Sequence, residues 1–203
     1  MNTENSIRRN TLALPMADEK VVTQRAKAER ARALAVDPEM AAAEAGVQVG
    51  DVVTHVNGQP VLDIVDFAFL SAGEQISLDV DREGTGPLHF EIAKDYDEDL
   101  GIEFGDDLFD RVHICKNKCV FCFLYQQPKG LRPSLYIKDD DYRLSFLHGN
   151  YLTLTNMGEA EFQRVIDQKL SPLFVSVHAT DAEVRGRMLG RKTPEPILPR
   201  LEM

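Results

Sequence analysis

Apolar positions fall into three regimes along the chain, and each predicts different elements. From about Ala31 to Lys94, short hydrophobic runs alternate with Gly, Asn and Asp, as in short strands joined by tight turns. The stretch AAAEAGVQVGDVVTHVNGQPV predicts a short helix ending near Gly46, a strand through Val52, Val53 and Val56, and a turn at Asn57-Gly58. Both turn positions tolerate positive φ, which makes Asn-Gly a strong hairpin signal. LDIVDFAFL has near-helical spacing, while ISLDV and LHFEIA alternate like strands, so residues 31–94 form a small β-rich module. Residues 95–110 carry seven Asp or Glu between Asp95 and Asp107, and are expected to form a solvated acidic connection. From Arg111 onwards, RVHI, RLSFL, YLTLT and PLFVSVHA read as strands, and MGEAEFQRVIDQKL and DAEVRGRMLG as helices. Such alternation predicts βα units with a parallel sheet. Phe162, Val165, Ile166 and Leu170 share one face of the first of these helices. Residues 1–30 are polar and rich in helix formers without a clean apolar stripe, as in a frayed or helical N-terminal arm.

Charge narrows the function classes. The 203 residues include 23 basic and 33 acidic side chains, a formal charge of -10. That balance argues against general nucleic-acid binding, which needs a basic surface to neutralise phosphates. Lys129, Arg132 and Lys138 still make a sparse basic strip suited to an RNA or an acidic partner. No run approaches the ~18 apolar residues of a membrane span, and the polar start MNTENSIRRN lacks a secretory signal's apolar segment, so a cytoplasmic location is expected.

The three cysteines lie within one octapeptide, Cys115-x-x-x-Cys119-x-x-Cys122. An odd count without a signal segment argues against a disulfide framework. Three thiolates so spaced can wrap one side of a [4Fe–4S] core and leave its fourth iron open to a small molecule. A Cys₃His zinc site completed by His113 or His148 is the alternative, as are three reduced cysteines without metal.

Two resemblances attach to these motifs. Ala-Gly-Val-Gln-Val-Gly-Asp-Val-Val, followed by Val-Asn-Gly and a helix, resembles a PDZ domain. It implies a groove that adds an extended peptide to a sheet edge, with a purely scaffolding β module as the competing reading. Cys115-x-x-x-Cys119-x-Phe121-Cys122, directly after RVHI, resembles the signature of radical S-adenosylmethionine (SAM) enzymes. This implies that the three cysteines ligate a [4Fe–4S] cluster whose open iron chelates SAM, and that one-electron reduction yields a 5′-deoxyadenosyl radical. The run CKNKCVFCFLYQQPKGLRPSLYIKDDDYRLSFLHGNYLTLTN behind a PDZ-like module is similar to the DUF512 family of bacterial proteins.

Further site residues follow from the same resemblance. Gly149, Asn150 and Tyr151 stand, after the strand read into RLSFL, where many radical SAM proteins carry a Gly-Gly-Glu-like motif that contacts the SAM amino group, which makes Gly149 and Asn150 the implied SAM contacts. Ser176 and His178 resemble a Ser-x-His-Ala motif in which the serine lies near SAM. Gly149 as a plain turn and His178 as a core histidine are the structural alternatives. Asp139, Asp140 and Asp141 could bind a cation, but without a second ligand cluster they read as a solvated loop. The fold class implied is α/β, a partial βα barrel of radical SAM type over residues 111–203, preceded by the PDZ-like module. About three βα units fit into that length, so a C-terminally truncated barrel is expected. A ferredoxin- or flavodoxin-type reductant is the implied partner, with a peptide or protein for the PDZ-like module. The rival class is a non-enzymatic peptide-binding module with a zinc or iron–sulfur structural element; an electron-transfer protein would need a fourth cysteine. No motif names a substrate or a catalytic residue.

Overall fold

The computed structural model describes residues 31–193 and 195–203; the expected N-terminal arm lies outside them. The first half follows its hydrophobic pattern closely. Strand β1 (Ala33–Val36) leads to helix α1 (Ala41–Ala45), which stops at Gly46 in the left-handed conformation. Strands β2 (Val52–Val56) and β3 (Gln59–Pro60) form the hairpin expected around Asn57-Gly58, with φ of 51° and 73° at the turn. Helix α2 (Ile64–Leu70) follows, capped by the Asp63 carboxylate, which accepts from the Asp66 amide at 2.9 Å. Strands β4 (Gln75–Arg82) and β5 (Gly86–Ala93) pair along their whole lengths, completing an antiparallel sheet of order β3-β2-β4-β5. Its inward face supplies Val53, Val56, Ile76, Leu78, Val80 and Ile92 to one aliphatic core.

The acidic stretch 95–110 is not merely a solvated connection. Ile102–Phe104 forms strand β6, antiparallel to β1, and Leu100, Ile102 and Phe109 enter the same core. Asp95 to Asp107 are exposed at every acidic position, as is Tyr96, while Leu100, Ile102, Phe104, Leu108 and Phe109 are used for packing, so the module runs to about Asp110. Counting charges alone hid that interleaved pattern.

In the second half, the alternation of elements is present but its strands are short. Helix α3 (Tyr142–His148) replaces the strand read into RLSFL, and RVHI contributes only an isolated bridge from Ile114 to Asp139. The misreading has a physical cause: Arg143 and Ser145 are the buried positions, whereas Leu144, Phe146 and Leu147 are half-buried. The apolar residues therefore do not report the inward face. Asp141 caps the helix through the Arg143 amide and Gly149, at φ 74°, ends it. Strand β7 (Tyr151–Leu152) pairs in parallel with β8 (Phe174–Val175), across helix α4 (Glu159–Asp167). Phe162 and Leu170 of the expected α4 face are buried and Val165 packs beside them, but Ile166 is exposed. Helix α5 (Ala182–Leu189) and the short α6 (Leu198–Leu201) complete the described chain.

A buried charge network joins the two halves. Asp63 is fully buried and accepts from both nitrogens of Arg164, at 2.9 and 2.6 Å, and from Arg143 at 3.2 Å. Arg143 also engages Asp141 and Asp110, and Arg164 reaches Asp66 at 2.7 Å. Two guanidiniums thus share the carboxylate that caps α2, which makes the junction part of the fold rather than a flexible linker.

Candidate active site

The cysteines lie on a loop whose ends are clamped together. The Cys115 amide donates to the Lys138 carbonyl at 2.7 Å and the Asp140 amide to the His113 carbonyl at 2.9 Å. Asp141 accepts from the His113 amide, so the junction network reaches within two residues of the first cysteine. The loop is also pinned to the end of α5, where the Lys118 and Val120 amides donate to the Leu189 and Met188 carbonyls at 2.8 and 3.0 Å. Gly190 permits that approach: its φ is 64°, and an added Cβ would collide with the Lys118 carbonyl.

Polar side chains fix the loop from beneath. Asn117 is buried and donates its amide protons to the hydroxyls of Thr153 and Thr155, both at 2.9 Å. Thr153 in turn donates to Asp140 at 2.6 Å, and Arg191 reaches the Asn117 side-chain oxygen at 3.3 Å. Buried Lys138 donates to the Asn117 carbonyl and to the Tyr125 hydroxyl, and its ammonium stands 4.6 Å from the centre of the Tyr125 ring.

These surroundings set the thiol chemistry. Burial pushes the Cys115 thiol up to about 11, and burial together with neighbouring Cys122 raises Cys119 as well. Lys138 is subject to the opposing effect of burial, but the Tyr125 hydroxyl and the nearby Cys115 and Cys122 keep its ammonium above the ordinary range. All three cysteines are free and half-buried. In kind, this donor set fits a thiolate-held iron–sulfur group: three free thiols on one pinned loop, with a fixed ammonium as counter-charge. They are not gathered into a metal cage, since no group of three or more His, Cys, Asp or Glu among the described residues is arranged to hold an ion. Both histidines considered for zinc are engaged elsewhere, His113 with Glu161 at 3.1 Å and His148 with Asp107 at 2.8 Å.

The structure separates the residues expected to contact SAM. Gly149 caps α3 and Asn150 donates to Asp139 at 2.9 Å, both ahead of β7. Ser176 follows β8, and its amide donates to the Leu152 carbonyl. The parallel register Leu152↔Val175 puts Ser176 level with Thr153, three positions beyond Asn150, or roughly 10 Å along the strand. Gly149 and Asn150 therefore do not share an end of the sheet with Ser176, a correction that follows from α3 being a helix. Thr153, Thr155 and Asn156 take the place beyond the C-terminal end of β7.

Three buried side-chain atoms at this end have no hydrogen-bond partner among the described residues: Asn156 Oδ1, His178 Nδ1 and Arg191 Nε. Unpaired buried polar atoms are costly, and an ordered water, an ion or a ligand group completes their bonding. His178 adopts φ 66°, in the left-handed region, and its ring lies 5.0 Å from that of Phe121 in the cysteine loop. Burial, joined by the Arg185 guanidinium, lowers its pKa and favours neutral imidazole. Asp140 and Asp141, expected in a solvated loop, are each only 1% exposed. Asn117, Thr153, Thr155 and Arg191 were not singled out by sequence; the period-two polar positions of YLTLTN were the available signal for the two threonines.

Comparison with family models matches residues 94–203 to the radical SAM-like domain and residues 32–82 to a PDZ domain. Among solved structures, the chain is similar to the PDZ domain of an SdrC-like protein from Listeria monocytogenes, at 18% identity and a TM-score of 0.33, covering 43% of this chain and 100% of the other. The PDZ domain of the SdrC-like protein from Listeria innocua matches at 19% identity and a TM-score of 0.32, covering 38% of this chain and 96% of the other. A search of curated proteins finds no match. No helix among the described residues is long and apolar enough to cross a membrane.

Proposed function

The chain belongs to the radical SAM-like domain family, and from that premise we propose that Cys115, Cys119 and Cys122 hold a [4Fe–4S] cluster that works with SAM. When bound, that pair supplies a 5′-deoxyadenosyl radical able to abstract hydrogen from a substrate. The observation carrying this reading is the docking of the cysteine loop onto the C-terminal ends of two parallel strands, where Asn117 meets Thr153 and Thr155, and Phe121 meets His178. In βα barrels that end is the active face.

The chain's own residues divide the work. Asn117, Lys138 and Gly190 fix the loop, and the Lys138 ammonium offsets thiolate charge. Ser176, Asn156 and neutral His178 offer hydrogen bonds to SAM or substrate at the strand ends, and Phe121 shields the imidazole. A ferredoxin- or flavodoxin-type protein supplies the electron, in a reducing cytoplasm that suits free thiols. In the PDZ-like module, β6 pairs only with β1 among the described strands, and its other edge is the proposed place for a peptide strand.

Anaerobic reconstitution tests the proposal. Iron and acid-labile sulfide in equal amounts, with an electron paramagnetic resonance spectrum altered by SAM, are expected for the wild type. Cys119→Ala should retain no cluster, while Ser176→Ala should keep iron and bind SAM more weakly. Zinc without sulfide, or full iron retention by Cys119→Ala, would overturn the assignment.

A further inference from the structure

We propose that Arg185, Arg191 and Arg200, beyond the C-terminal ends of β7 and β8, bind the terminal phosphate or carboxylate group of a small anionic substrate. The identity of the bound molecule as a substrate rests on the radical SAM reading. The need for an anion follows from the charges alone.

Other buried guanidiniums of the chain are paired with carboxylates, Arg143 with Asp63, Asp110 and Asp141, and Arg164 with Asp63 and Asp66. Arg185 is only 2% exposed, yet its hydrogen bonds among the described residues go to carbonyls alone. It donates to Val177 at 3.1 Å, Thr153 at 2.6 Å and Glu195 at 3.5 Å. Carbonyls engage its protons but leave its charge unneutralised away from water, which is costly.

Two further guanidiniums converge on Glu195. Arg191 meets its carboxylate at 2.9 Å and Arg200 at 3.9 Å, so one partly exposed carboxylate stands among three cations. Burial lowers the Arg185 pKa, and Arg191 and Arg200 lower it further than Glu195 and Asp140 restore it. Asp140 faces this group only across Thr153, whose amide and hydroxyl occupy its oxygens. Arg191 Nε is buried without a hydrogen-bond partner, and a guanidinium nitrogen only donates. Its missing partner is an acceptor, and three cations around one carboxylate favour an acceptor that carries negative charge.

Placement narrows the ligand. Arg185 bonds the residues that follow β7 and β8, and Arg191 reaches the Asn117 side chain of the cysteine loop at 3.3 Å, so the bound group would lie beside that loop. Arg191 and Arg200 are partly exposed and give access, while the buried donors suit a terminal group better than the backbone phosphates of a polymer. SAM does not supply this anion. Its single carboxylate is engaged in chelating iron, and its sulfonium is repelled by guanidiniums.

The test is calorimetric titration of the full chain with inorganic phosphate and, separately, with malonate, in a zwitterionic buffer of low ionic strength. At least one should bind, and the tighter of the two assigns the substrate's group as phosphate or carboxylate. Arg191→Gln should weaken that binding about tenfold, and Glu195→Gln, which removes the competing carboxylate, should tighten it about tenfold. A gain of affinity does not arise from misfolding, so the two variants together separate charge from stability. Failure of both anions to bind would overturn the proposal, as would equal affinity in wild type and both variants, the mark of an adventitious ion only. On reconstituted protein, saturating anion should leave the change that SAM makes in the electron paramagnetic resonance spectrum intact. Loss of that change would mean that the arginines hold SAM's own carboxylate, and would overturn the substrate assignment. Anion binding by protein that takes up no iron or sulfide would sink the radical SAM reading and leave the anion site standing.

Discussion

The PDZ-like half and the cysteine-bearing half are held together by different means. In residues 31–110, β4 and β5 pair over eight residues each, and an aliphatic core lies behind them. In residues 111–203, β7 and β8 are two residues long, and side chains take over the work of the ladder. Asn117, Asp140 and Thr153 tie the loop down, while buried Arg185 donates to the carbonyls of Thr153 and Val177. A backbone ladder tolerates substitution because its bonds do not depend on side-chain identity. A side-chain network places a loop accurately, but each member is hard to replace. The difference suits a rigid scaffold joined to a site.

The strongest way to break this division is to remove the group that spans it. Asp63→Ala should destabilise the protein by about 3–5 kcal/mol, because two buried guanidiniums lose their shared carboxylate and α2 loses its cap. Urea unfolding followed by tyrosine fluorescence and by circular dichroism would check it. A loss below about 1 kcal/mol would mean that the halves are joined by packing alone.

Next in size is a cavity in the first half. Leu78 is fully buried in β4, so Leu78→Ala should cost about 2–4 kcal/mol while leaving the thiol reactivity of the native state at its wild-type level. Altered labelling of Cys119 by a maleimide under native conditions would show that the cysteine loop depends on the scaffold core.

The smallest effect expected is that of acid. Burial works against ionisation of Asp51 and Asp141, but hydrogen bonds and charge from Arg82 and Arg143 outweigh it and hold both carboxyls below the ordinary range. Each therefore adds stability in full above the unfolded carboxylate value of about 3.9, and loses it as pH falls through the folded value. Stability should be flat with respect to these groups from pH 7 to about 5 and decline below about 4, more shallowly in Asp51→Asn. An Asp51→Asn protein with the wild-type acid profile would remove Asp51 from that account.

Much of the first half was legible residue by residue. Gly46, Asn57-Gly58 and the alternation in ISLDV and LHFEIA led to the observed helix stop, hairpin and strands. These signals are local: a turn needs positive φ at particular residues, and an amphipathic strand needs alternation. RLSFL failed because Arg143 and Ser145 face inward, and an inward arginine is sensible only once Asp63, 80 positions earlier in the chain, stands opposite it.

Three cysteines with radical SAM spacing are visible in the sequence without any fold, because their spacing along one loop is local. What surrounds them is set by the packing of the folded chain. The parallel register of β7 and β8 moved Gly149 and Asn150 away from Ser176 and brought Thr153, Thr155 and Asn156 towards the loop. Asn117 and Arg191 meet across 74 positions, and Arg164 and Asp63 across 101. Hydrogen bonds and ion pairs act over a few ångströms in space, whatever the distance along the chain, so the partners of a buried polar side chain are settled by packing and not by its neighbours in sequence.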